Sequence, residues 1–83
     1  MKIYKFSAEW CSPCRALSQK ISEWGRKDLV KEVDVDENED LTDKYHIHTI
    51  PTLVLVDENG AELRRLCGNV SLSKLDEFVD GDE

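Results

Sequence analysis

Near the start of the chain the hydrophobic period changes abruptly. Lys2 to Ser7 (KIYKFS) carries Ile, Tyr and Phe at a density that predicts a strand. Pro13 to Trp24 instead spaces Leu17, Ile21 and Trp24 four and three apart, on one face of a helix. The handover is Trp10-Cys11-Ser12-Pro13-Cys14, which holds two of the three cysteines. Gly25 and the polar Arg26-Lys27-Asp28 end the helix, and Leu29 to Asp36 (LVKEVDVD) alternates enough to form a second strand. A strand, crossover helix and strand in that order imply a right-handed parallel pair.

The rest of the chain extends this unit. Asn38 is placed to cap a short helix with Glu39 and Asp40 in its first turn, Lys44 in its last, and Leu41 and Tyr45 on its buried side. Thr52 to Asp57 (TLVLVD) is the most continuously apolar run and predicts a central strand. Glu58-Asn59-Gly60 turns it into an antiparallel hairpin with Ala61 to Cys67. Ser71 then caps a helix burying Leu72, Leu75, Phe78 and Val79, before the acidic tail Asp80-Gly81-Asp82-Glu83. No internal repeat is visible. The expected architecture is β-α-β-α-β-β-α, one mixed four-stranded sheet with three helices, in a single domain spanning 1–83.

Charge narrows the functions open to such a domain. The net charge of −7 is spread along the chain, so a phosphate backbone would be repelled and no nucleic-acid partner is expected. No run approaches the ~18 apolar residues of a membrane span, and MKIYKFSAEW lacks the apolar region of a secretory signal. A cytoplasmic monomer without membrane association is expected. Three cysteines fit poorly with a secreted disulfide framework, which favours an even count. In a reducing compartment a close pair is more often catalytic or metal-binding.

Cysteines three apart at the first turn of a helix lie on nearly the same side, within reach of a disulfide. The first sulfur faces the unpaired N–H groups of the helix start, which favours thiolate over thiol. Cys11 is therefore the expected nucleophile, exposed at the helix start, with Cys14 less exposed beneath it as the resolving thiol. Pro13 suits an early helical position, where its missing N–H had no partner. Two other readings stay open. Zinc needs four ligands, and this pair supplies two; Cys67, His46 and His48 could complete the set, although no second tight pair exists. Alternatively both cysteines are inert and structural. The run from Asp34 to Asn38 mimics the start of a calcium loop, but Glu39 and Tyr45 stand where Gly and Glu are required.

Taken together, several segments resemble the thioredoxin family. They are Phe6-Ser7-Ala8-Glu9-Trp10-Cys11-Ser12-Pro13-Cys14, Val33-Asp34-Val35-Asp36, Lys44-Tyr45, Ile47, Thr49-Ile50-Pro51-Thr52, Asn59-Gly60, Gly68 and Glu77-Phe78. The match follows the family's order and spacing, beginning at what the family has as its second strand. It implies a thioredoxin-like fold lacking the usual opening strand and helix, with the strand at 29–36 as an edge guarded by Lys31, Glu32, Asp34 and Asp36. It also implies a protein-disulfide reductase working through Cys11 and Cys14 without a prosthetic group. Pro51 would follow a cis peptide bond, leaving Ile50 to pair with an extended substrate. Trp10, Ser12, Pro13, Ile50, Pro51, Cys67 and Gly68 would form the substrate-binding rim. Cys67 itself is expected to be a semi-buried structural cysteine.

Partners implied by the resemblance are protein disulfides, ribonucleotide reductase among them, and a reductant that is either a thioredoxin-reductase-type enzyme or glutathione. So small a version resembles phage or archaeal members of the family. A glutaredoxin-type enzyme, and a non-catalytic interaction or zinc-binding module, are the competing functions. Two departures stand out. Ser12 replaces the usual Gly between the cysteines. The family's buried acid behind the resolving cysteine and its lysine on the next strand are exchanged here for Lys5 and Glu32. Reversed in polarity, they are expected to pair, with Glu32 as a proton acceptor for Cys14 and Lys5 favouring thiolates.

Overall fold

The computed structural model describes residues 1–81. Strand β1 (Lys2–Ser7) runs into α1 (Ser12–Ser22), and a 3-10 turn at Lys27–Leu29 leads to β2 (Val30–Asp34). Helix α2 (Glu39–Lys44), the hairpin β3 (Thr52–Val56) and β4 (Glu62–Cys67), and α3 (Leu72–Asp80) complete the chain. The sheet order is β2-β1-β3-β4, with β1 and β2 parallel and the other two pairings antiparallel. This is the expected architecture, with β2 at one edge.

Alternation along the strands sorts the core into two layers. Ile3, Leu53 and Leu55 meet Leu17 and Ile21 of α1 and Leu75, Phe78 and Val79 of α3. Phe6, Val33, Val54 and Val56 lie on the opposite face with Tyr45, just past α2. All five residues of β3 are buried, as its unbroken apolar run requires for a strand covered on both faces.

Differences from the sequence expectation lie at the ends of elements. Helix α1 stops at Ser22, and Trp24 lies beyond it, still buried, with its indole N–H donating to Asp76 Oδ1 at 2.9 Å. The helical spacing found the right core residue for a reason that is tertiary. Strand β2 is shorter than 29–36, since Leu29 closes the 3-10 turn and Asp36 N donates to Asp34 Oδ1 at 2.8 Å in the following turn. Asn38 occupies the position before α2 but does not cap it: its side-chain amide donates back to Asp34 O at 3.1 Å. Leu41 and Leu72 are only half-buried. Ser71 does cap α3, accepting from Lys74 N at 3.1 Å. In the hairpin, Asp57 Oδ1 accepts from Asn59 N and Ala61 N, and Gly60 takes a φ of +83° that L side chains rarely adopt. Of the acidic tail, Asp82 and Glu83 lie outside the described residues.

Candidate active site

The carboxyl end of β1 delivers the chain to α1 through a loop that folds back on itself, Cys11 N donating to Ala8 O at 3.2 Å. Cys11 has extended backbone angles (φ −95°, ψ 106°) and caps α1, with its Sγ accepting from Cys14 N at 3.2 Å. A sulfur in that position takes the place of the Ser or Asp oxygen that ordinarily satisfies a free N–H at a helix start. Pro13 occupies the first turn, where no N–H is missed. The Cα atoms of Cys11 and Cys14 are 5.3 Å apart and the two sulfurs are joined in a disulfide.

The nucleophile is less open than expected. Cys11 is 6% exposed and Cys14 2%, because Ala8, Val35 and Ile50 pack around the pair. The order of exposure is the expected one, but Cys11 presents only a small part of its surface to solvent. Above it Trp10 is 69% exposed, its indole N–H donating to Asp36 Oδ2 at 3.0 Å. Arg15 ties the loop from outside, donating to Glu9 O at 2.6 Å and to Ser12 Oγ at 3.1 Å.

The loop before β3 closes the other side. The Ile50–Pro51 peptide is cis, and Ile50 packs against the cysteine cluster. Pro51 O accepts from Gly68 N at 2.9 Å, and Gly68 has a φ of +95° that makes a side chain there strained even though the space beside it is open. The structure thus brings Ile50 to the sulfurs and joins Pro51 to Gly68 across β3 and β4. Cys67 pairs with Thr52 in the strand register, 3.7 Å from Thr52 Oγ1 to its Sγ. Contrary to expectation it is a free, exposed thiol, at the end of β4, the second edge strand of the sheet.

Lys5 and Glu32 are register partners between β1 and β2. Lys5 is 1% exposed; its Nζ donates to Ser18 Oγ at 2.7 Å and to Glu32 Oε1 at 3.1 Å. Glu32 is 57% exposed and also accepts from Ser7 Oγ at 3.3 Å. The pair is therefore real and one-sided, with the lysine inside and the carboxylate at the surface. His46 and His48 are both exposed, and among the described residues no three His, Cys, Asp or Glu side chains gather as a metal site.

Sequence reasoning did not single out Ser18 or Arg15, and it named Asp36 as an edge charge rather than as the acceptor for the Trp10 indole. Ser18 left no signal of its own: it is a half-buried helical serine four residues after Cys14, and only the buried ammonium of Lys5 beside it gives it a role.

A capping sulfur bonded to a second, more deeply buried sulfur, set against a proline loop at the end of a mixed sheet, defines a paired-cysteine site on a thioredoxin-like fold. Residues 1–81 match the Thioredoxin family model. Thioredoxin-T of Drosophila melanogaster is 36% identical over 78 residues, covering 88% of this chain and 50% of that protein. Thioredoxin of Pseudomonas aeruginosa is 36% identical over 77 residues, covering 88% of this chain and 70% of its own. Thioredoxin 1 of Thermosipho africanus superposes with a TM-score of 0.80 at 29% identity, over 98% of this chain and 92% of that one. The chain belongs to the thioredoxin family, and it spans from half to somewhat over two thirds of the length of the two sequence relatives just named.

Proposed function

We propose that this protein reduces disulfide bonds of other proteins by dithiol–disulfide exchange. The observation that carries the reading is Cys11 Sγ at the cap of α1, accepting from Cys14 N, with the Cys14 sulfur bonded to it from a more buried position. Backbone N–H groups at the helix start stabilise negative charge on Cys11, so the thiolate is present to attack.

In the reduced protein the Cys11 thiolate attacks one sulfur of a substrate disulfide. A mixed disulfide forms and the electron pair of the broken bond leaves on the second substrate sulfur, which takes a proton from water. Cys14, having lost its proton to solvent, then attacks Cys11 Sγ. The Cys11–Cys14 bond forms, the bond to substrate breaks, and the second substrate thiol leaves. A dithiol reductant returns two electrons and two protons. Trp10, Ser12, Pro13, Ile50, Pro51, Cys67 and Gly68 form the rim against which an extended segment lies, with Ile50 offering main-chain pairing.

A thioredoxin-reductase-type enzyme is the reductant favoured by the Trp-Cys-x-Pro-Cys form. Ribonucleotide reductase is a client by family analogy, and the cytosol is the compartment in which an odd cysteine count is best tolerated. The test is insulin-disulfide reduction by the full chain and by Cys11→Ser. Turnover by the first and none by the second is expected. No turnover by either would overturn the reading. Turnover with glutathione but none with a thioredoxin-type reductase would move the protein to the glutaredoxin type.

A further inference from the structure

Lys5 is a charged residue on the inner face of β1, where its neighbour in the pattern, Ile3, packs into the core against α1. Its side chain is 1% exposed, and its ammonium has two partners, Ser18 Oγ at 2.7 Å and Glu32 Oε1 at 3.1 Å. Burying an ammonium is unfavourable unless its hydrogen bonds are satisfied, so these contacts fix where the charge sits. They fix it against α1. Ser18 lies four residues after Cys14, and side chains so spaced on a helix are neighbours, about 5–6 Å apart at Cβ. Cys14 is itself buried, at 2% exposure. A cation is therefore held one helical turn from the resolving sulfur in a place that water screens poorly. Glu32 offsets it only from outside, with its carboxylate 57% exposed and shared with Ser7.

We propose that Lys5, oriented by Ser18 and balanced by Glu32, is a positioning residue whose fixed positive charge sets the redox poise of the Cys11–Cys14 couple. The inference rests on the exchange chemistry proposed above. A nearby cation favours the thiolate of the reduced pair and has no charge to favour in the disulfide, so it stabilises the reduced form and makes the couple more oxidising. The resolving step then has a thiolate available without a carboxylate base. Glu32 acts as counter-charge, a different role from the proton acceptor expected from the sequence. Its removal should strengthen the field of Lys5 at the sulfurs.

The two members of the ion pair must therefore move the couple in opposite directions. The full chain is equilibrated with reduced and oxidised glutathione, quenched in acid, alkylated and weighed; alkylation rate is followed against pH on the same variants. Lys5→Met, which keeps much of the side chain's length without its charge, should shift the equilibrium toward the disulfide by about tenfold, about 30 mV for two electrons. Its alkylation midpoint should rise. Glu32→Gln should shift both readings the other way. Variants that fold, as their thermal melts show, and move the couple less than twofold overturn the proposal, as do two variants that move it in the same direction. If Lys5→Met does not fold, Glu32→Gln alone decides, because its site is at the surface: a more oxidising couple supports the charge role, and an unchanged or more reducing one overturns it. Insulin turnover is scored separately. A chain that reduces insulin with an unmoved couple loses only this inference, and a shifted couple without turnover loses only the proposed function.

Discussion

Trp10 holds a large apolar surface in water while Asp36 accepts from its indole N–H, so its orientation is fixed without its being buried. An aromatic side chain held in this way has little ordering entropy left to lose when a partner covers it. Trp10→Ala should therefore leave the melting midpoint nearly unchanged, within about 0.5 kcal/mol of stability. It should also lower kcat/KM for insulin reduction by about tenfold, the loss of one good interface contact. A large fall in stability with unchanged kcat/KM would assign Trp10 to packing. Cys67 is tested by counting. As the exposed free thiol, it should be alkylated once per chain in the oxidised protein under native conditions. Reduction followed by unfolding should raise the count to three, the chain's full cysteine content.

At the level of elements, hydrogen bonds from β4 settle where helices stop. Arg64 donates to Phe78 O at 2.7 Å and to Val79 O at 3.4 Å, satisfying carbonyls that α3 leaves open at its end. Arg65 donates to Tyr45 O at 2.6 Å, just past α2, and makes a two-bond pair with Glu62. Arg64→Ala should destabilise the fold by about 1–2 kcal/mol, since it leaves helix carbonyls unpaired, and denaturant unfolding reads the change directly. The hydrogen bond from Arg65 holds the Glu62 carboxyl below its ordinary value and raises Arg65 in turn. A carboxyl lowered in the folded state adds stability that is present above the unfolded carboxylate range and is lost as pH falls through the lowered value. Glu62→Gln should accordingly shrink the drop in melting temperature between pH 7 and pH 3. The effect will be small, because the pair is partly solvated.

These same contacts mark the limit of what the sequence shows. Strand and helix periods place every element, because Leu17 and Ile21, or Leu53 and Leu55, face one way wherever the chain goes. Periods carry no information about caps made by side chains distant in sequence. Asn38 looks like a cap and instead serves the preceding turn; Arg64, an exposed residue of β4, also completes α3. Within the site, Cys11 and Cys14 are legible because their spacing carries the chemistry, and Ile50 and Pro51 only through the resemblance to the thioredoxin family. Ser18 is not, since a helical serine acquires meaning only once Lys5 is found buried against it.

For the molecule as a whole, the four-stranded sheet has two open edges, β2 and β4, and relatives longer than this chain bring additional sequence that the match does not cover. An unpaired edge offers a row of N–H and C=O groups to any extended chain, including a second copy. On β2 the deterrent is charge: Lys31 and Glu32 are exposed and Asp34 is half-exposed, while Val33 alone turns fully inward. The net charge of −7 adds long-range repulsion between copies, but salt screens it over about 8–10 Å, so edge protection at close range must come from the local side chains. Lys31→Val removes one of them and raises strand propensity at the same position without touching the cysteine site. Sedimentation at rising concentration in physiological salt should then show self-association in the variant and a single small species for the native chain. A variant that stays as dispersed as the native chain would show that the shape of the edge, or the net charge, keeps copies apart. Lys31 would then have no part in keeping β2 unpaired.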